Sequence, residues 1–88
     1  MFEWDDNKNQ SNFEKHQVSF ELAIEIFTDK LMHVSDKVVN GEERSIAIGM
    51  VEDVILTVVF THRGNKHRII SARRASKIER AVYYGNKK

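Results

Sequence analysis

Val54-Ile55-Leu56-Thr57-Val58-Val59-Phe60-Thr61 is followed, across a turn at Arg63-Gly64-Asn65, by Lys66-His67-Arg68-Ile69-Ile70-Ser71-Ala72-Arg73-Arg74. In the first run Val54, Leu56, Val58 and Phe60 share one face, with Ile55, Thr57, Val59 and Thr61 opposite. That two-residue period belongs to a strand. The short glycine-containing turn makes the two runs neighbours and therefore antiparallel. Upstream, Arg44 to Met50 alternates with Ile46 and Ile48 on one face, and Leu31-Met32-His33-Val34 is a further short candidate. Between them, Asp36 to Glu43, with Asn40-Gly41, reads as a polar loop. The spacing predicts an antiparallel meander.

Helices flank this strand block. Phe2-Glu3-Trp4 alternates as a short strand, and Asp5 offers a side-chain oxygen to cap a helix through Asn7 to His16. That helix is weakly amphipathic, with Phe13 as its main apolar anchor. Ser19 is a second cap, ahead of Phe20, Ala23, Ile24 and Phe27 at helical spacing. Ser76 and Glu79 match the Ser-x-x-Glu capping box, and Ile78, Ala81 and Val82 supply the stripe of a last helix ending near Gly85. The expected fold class is α+β, one domain over residues 1–88. Its antiparallel sheet has two N-terminal helices and one C-terminal helix gathered on one side, and residues 86–88 form a frayed tail.

Charge is distributed in blocks. From His62 to Lys88 there are nine Lys/Arg and one acid, Glu79, whereas the first sixty-one residues hold twelve acids and five bases, within a net charge of +1. Arginines held on a strand suit polyphosphate recognition. The chain has no cysteine, which removes disulfides and thiolate zinc sites, and its four histidines lack metal-pair spacing, so no metal or other cofactor is expected. No apolar run approaches the ~20 residues of a membrane span. The acidic start, Met1 to Asp6, differs from a secretory signal, which points to the cytoplasm.

Strand alternation places Arg68, Ile70, Ala72 and Arg74 on one side and His67, Ile69, Ser71 and Arg73 on the other. The candidate catalytic residues are Lys15, His16, Arg73, Arg74, Glu79 and Arg80, with Arg68 and Tyr83 as substrate-binding residues. Each has a plainer alternative. The arginines can balance the acidic half through surface pairs worth ~0–1 kcal/mol each, Glu79 can simply complete the capping box, His16 can interact with a helix dipole, and Tyr83 can be packing. His62 and His67, beside the strand turn, read as solvated. There is no Ser/His/Asp spacing, glycine-rich phosphate loop or paired-carboxylate motif. Arginine, lysine and imidazole suit RNA cleavage, in which the 2′-hydroxyl supplies the nucleophile.

Several stretches together carry a family resemblance: Phe2-Glu3-Trp4-Asp5, Lys8 to Asn12, Lys15-His16, Val18-Ser19-Phe20-Glu21, Ala23 with Phe27, Arg68 to Ala75, and Glu79-Arg80 with Tyr83. Over nearly its whole length the chain resembles the BrnT toxins of type II toxin–antitoxin systems. The resemblance implies a RelE-like fold, a ribonuclease activity that arrests translation, and inhibition by a cognate BrnA antitoxin in a hetero-oligomer. It also implies that operator DNA is contacted only through that antitoxin. Gln17 departs from the family, where glycine usually follows the Lys-His pair and suits a left-handed residue ending the helix. Two alternatives stay open: a ParE-like inhibitor of DNA gyrase that cuts nothing, and a basic nucleic-acid-binding module.

Overall fold

The computed structural model describes residues 1–85; the expected frayed tail, residues 86–88, lies outside the described residues. The elements are β1 (Phe2–Glu3), α1 (Asp6–His16), α2 (Phe20–Ala23), β2 (His33–Val39), β3 (Glu42–Val51), β4 (Val54–Arg63), β5 (Lys66–Arg74) and α3 (Lys77–Gly85), with a 3-10 turn over Ile24–Thr28 after α2. The strands form one sheet in the order β1-β5-β4-β3-β2. The meander from β2 to β5 is antiparallel as the spacing predicts. β1 instead lies parallel to β5, with Phe2 opposite His67 and Glu3 opposite Arg68. Its neighbour is the strand most distant in sequence, so no local turn signals the pairing.

The predicted loop from Asp36 to Glu43 is strand. Only Asn40 and Gly41 turn, with φ of 52° and 78°, so Val39 pairs directly with Glu42. Two positive φ values match the twist of a two-residue hairpin. β2 is an edge strand exposed from Val34 to Val38, so no buried face marks it in the sequence.

Two cores lie on opposite faces of the sheet. Val18, Phe20, Ala23 and Ile26 pack on Ala47, Leu56, Val58, Phe60, Ile69 and Ala72. Behind them Ile48 and Ile55 meet Ala75 and Tyr83. The helices are therefore not all on one side: α3 covers part of the face expected to be free. On β3 the side under α2 and the 3-10 turn carries Ala47 and Gly49, while Ile48 faces α3. Close approach explains this, since a Cβ on Gly49 would lie 2.8 Å from the Cβ of Ile26.

β5 does not alternate regularly. Val59 pairs with Ser71 and Phe60 with Ile69, so Ile70 is the extra residue of a bulge. Before it, Arg68 shares the side of Thr61; after it, Ser71 and Arg73 share the side of Val59 and Thr57. The phase shift aims both Ile69 (1% exposed) and Ala72 (0%) into the larger core, and brings Arg68 and Arg73 onto the same opposite face. Strict alternation had separated Arg68 from Ser71 and Arg73, and mixed charge into both faces.

α1 is anchored by a polar residue. Phe13, the expected anchor, is 49% exposed, whereas Asn12 is 8% exposed. The Asn12 amide donates to the carbonyls of Ala72 (2.7 Å) and Val18 (2.9 Å), and its oxygen accepts the Ala72 N–H at 3.1 Å. It pairs with the outer edge of β5 as another strand would. Asp5 caps α1 by accepting from Asn7 N–H at 2.8 Å, and Gln17 ends it in the left-handed conformation, φ 62°. Glycine lacks the Cβ that makes this region unfavourable. Gln17→Gly is accordingly expected to stabilise the fold by about 0.5–1 kcal/mol, read as a rise in Tm. Asn12→Asp keeps the acceptor but loses both donated bonds and buries a charge against two carbonyls. It should cost about 3 kcal/mol in chemical denaturation at neutral pH, and an unchanged midpoint would contradict the anchoring role.

Candidate active site

The α1 residues facing β5 recur at helical spacing: Lys8, Ser11, Asn12 and Lys15, followed by His16 at the helix end. Together with Ile70 and Ser71 of β5 they line an open cleft of about 280 Å³. The bulge is part of its wall. Lys8 and Lys15 are exposed and His16 is half-buried. The cleft thus presents two ammonium groups, an imidazole and two serine hydroxyls around a strand edge. Ser71 lies between Arg68 and Arg73 on the same side of β5, which links the cleft to the arginine row.

Those arginines are held from within. Arg73 Nη1 and Nη2 donate to Glu79 Oε1 (2.6 Å) and Oε2 (2.8 Å), a paired geometry. Glu79 also accepts from Thr57 Oγ1 at 3.0 Å and from Ser76 N–H at 2.8 Å, while its own N–H donates to Ser76 Oγ. The capping box therefore forms, and the same carboxylate fixes Arg73. Its partners, Arg73 first, hold the Glu79 carboxyl down at about 2, and the pair raises Arg73 above the ordinary guanidinium value. Arg68 donates to Glu3 at 3.2 Å, with Arg63 3.7 Å from the same carboxylate. Arg80 donates to the Ala75 carbonyl at 3.0 Å. Arg74 is exposed at the strand end, on the sheet face opposite Arg73.

The guanidinium groups thus do not converge on one pocket. The sequence-predicted set separates into Lys15 and His16 in the cleft, Arg73 with Glu79 beyond Ser71, Arg68 on Glu3, and Arg74 and Arg80 at the junction with α3. Tyr83 leaves the set. It is 2% exposed, and its hydroxyl donates to Asp29 Oδ2 at 2.7 Å. Burial, with that bond, pushes the phenol up to about 12. It ties α3 to the sheet and is not available to a phosphate. His67 is not solvated either: it stacks on Phe27 (5.7 Å between centroids) and packs on Phe60 (5.0 Å), and burial pushes its imidazole down.

Sequence reasoning missed Lys8, Ser11 and Ser71. The 8, 11/12, 15 spacing was the available signal, a polar stripe on a helix judged only for its apolar residues. Among the described residues no cluster of three or more His, Asp or Glu has the makings of a metal site, and no helix is long and apolar enough to cross a membrane.

The Glu79 value fixes a pH dependence. A carboxyl lowered from 4.5 to about 2 adds stability that is complete above pH 4.5 and is lost as pH falls toward 2. With solvent partly screening the pair, the loss should be about 1–2 kcal/mol. Urea denaturation at pH 5.5 and 2.5 measures it against Glu79→Gln, in which this component should vanish.

Residues 4–79 match the family described as "ribonuclease toxin, BrnT, of type II toxin–antitoxin system". No curated protein matches the chain closely enough to be placed beside it. The match spans most of the 88 residues, from Trp4 through α1, the sheet and its bulged last strand to Glu79. The chain belongs to the BrnT family of ribonuclease toxins, whose type II systems pair the toxin with a protein antitoxin.

Proposed function

We propose that this chain is a RelE-like, metal-independent endoribonuclease that acts at the α1–β5 cleft and arrests translation in the cytoplasm. A BrnA-like antitoxin neutralises it in a hetero-oligomer, and only through that partner is operator DNA contacted. The observation that carries the proposal is the grouping of Lys8, Lys15 and His16 with Ser71 at the bulged strand. A phosphodiester fits such a set: two ammonium groups neutralise the non-bridging oxygens, and an imidazole moves protons. Arg73 adds a guanidinium whose orientation Glu79 fixes, with N–H groups beyond the two that Glu79 accepts. Arg74, and Arg80 on α3, extend the positive charge to the end of the strand. Glu3 and Glu79 are both engaged by arginine, so neither is a ready ligand for a divalent cation.

In the reaction the 2′-hydroxyl gives its proton to His16 as its oxygen bonds to phosphorus. The P–O5′ bond breaks, and the departing 5′-oxygen takes a proton from the Lys15 ammonium. The products are a 2′,3′-cyclic phosphate and a 5′-hydroxyl. The bulge and Asn12 keep α1 at the strand edge, so these groups are oriented before substrate arrives.

Incubating the purified chain with a defined RNA in chelator tests this directly. The wild type should yield 5′-hydroxyl ends. His16→Ala should slow cleavage by about 100-fold or more, and Lys15→Ala by at least about 10-fold, with Tm unchanged. RNA left intact by the wild type, or cleaved at full rate by His16→Ala, would sink the assignment.

A further inference from the structure

The outer side of α3 has no role in the cleft. Ile78 is 78% exposed and Val82 40%, and they stand one turn apart on the same side of the helix. The inner side is firmly attached: Glu79 holds Arg73, Tyr83 reaches Asp29, and Arg80 bonds back to Ala75. The aliphatic pair therefore sits on a rigid mount. Around it the charge is of one sign. Exposed Lys77 precedes the stripe, exposed Arg74 stands at the end of the strand that leads into the helix, and the only acid between residues 74 and 85, Glu79, is turned inward onto Arg73.

We infer that this face of α3 receives the antitoxin, through an amphipathic segment with two apolar side chains set on Ile78 and Val82 and an acidic side chain meeting Lys77. Three features select that occupant. Aliphatic side chains offer RNA neither hydrogen bonds nor an aromatic stacking platform, so the stripe is not an extension of the substrate path. A second copy would bring Lys77 towards its own like, with no acid on this face to offset it, which is unfavourable. Family membership supplies a protein partner, and a protein can provide both apolar area and negative charge. The placement has a consequence for inhibition. Ile78 outside and Glu79 inside are adjacent residues of one turn, so a partner seated here lies at the end of β5 beside Arg73 and Arg74, next to the cleft and not within it.

The inference rests on the toxin assignment, and its test separates the two. Ile78→Asp and Val82→Asp, made in the full chain and titrated with the cognate antitoxin by calorimetry, should weaken binding by about 100-fold or more. Lys77→Glu should weaken it by about 10-fold. RNA cleavage and Tm should stay at wild-type levels, so cells carrying Ile78→Asp are no longer rescued by the antitoxin. Wild-type antitoxin affinity in both aspartate variants would overturn the inference. So would loss of a self-dimer in ultracentrifugation with antitoxin binding intact. Failure of the unmodified chain to cut RNA would count against the cleft alone, because the titration is read without it.

Discussion

The buried amide of Asn12 determines where everything else can sit. The outward edge of β5 beyond β1 presents the N–H and C=O of Ala72, groups that must find partners. A sixth strand would satisfy them but would cover the edge completely. Asn12 satisfies both and also takes the Val18 carbonyl, so one side chain fixes the helix, the strand and the chain segment leading to Phe20. Val18 and Phe20 can then enter the larger core. Because Asn12 lies between Lys8 and Lys15 on the helix, the anchor delivers cations to the strand edge.

The bulge at Ile70 acts in the same place with a different effect. One extra residue shifts the side-chain phase, so the strand can bury Ile69 and Ala72 together and still present Arg68, Ser71 and Arg73 on its other side. That alignment has an electrostatic cost, since arginines on one strand face repel. Glu3 and Glu79 offset it, each from an element beside β5. Within the most basic stretch of the chain, Arg63, Arg68 and Arg73 are in this way paired with carboxylates. The positive charge of the cleft comes from Lys8 and Lys15 of α1, in the acidic half of the sequence.

The fold was more legible than the site, for a physical reason in each case. β3, β4 and β5 are internal strands whose apolar residues must be buried, so period-two spacing located them. β2 is an exposed edge strand with no buried face to mark it; β1 was readable as a strand from the alternation of Phe2-Glu3-Trp4, but its pairing with a strand more than sixty residues away leaves no local pattern. The caps at Asp5, Ser19 and Ser76 were readable because a helix end needs a short polar side chain at one defined position. Asn12 was not, because a polar anchor inverts the usual rule and Phe13 beside it attracted the apolar role. Charge counting found the basic block but could not show that Glu3, from the opposite end of the chain, would pair with Arg68 and Arg63, or Glu79 with Arg73. Lys15 and His16 stood out as an adjacent basic pair, while the place of Lys8 on the same cleft needed the helix orientation that Asn12 sets.

Gln17 joins these themes. It follows His16 directly and holds a left-handed conformation that a side chain disfavours. Its N–H closes on the Phe13 carbonyl, so the chain reverses at once and returns Val18 to the core, where the Val18 carbonyl meets Asn12. A more relaxed turn would let the last residues of α1 drift from β5, and His16 is the last of them. The strained residue and the buried amide therefore act on the two ends of one short segment, Asn12 to Val18. Between them they fix the backbone of His16 at the rim of the cleft.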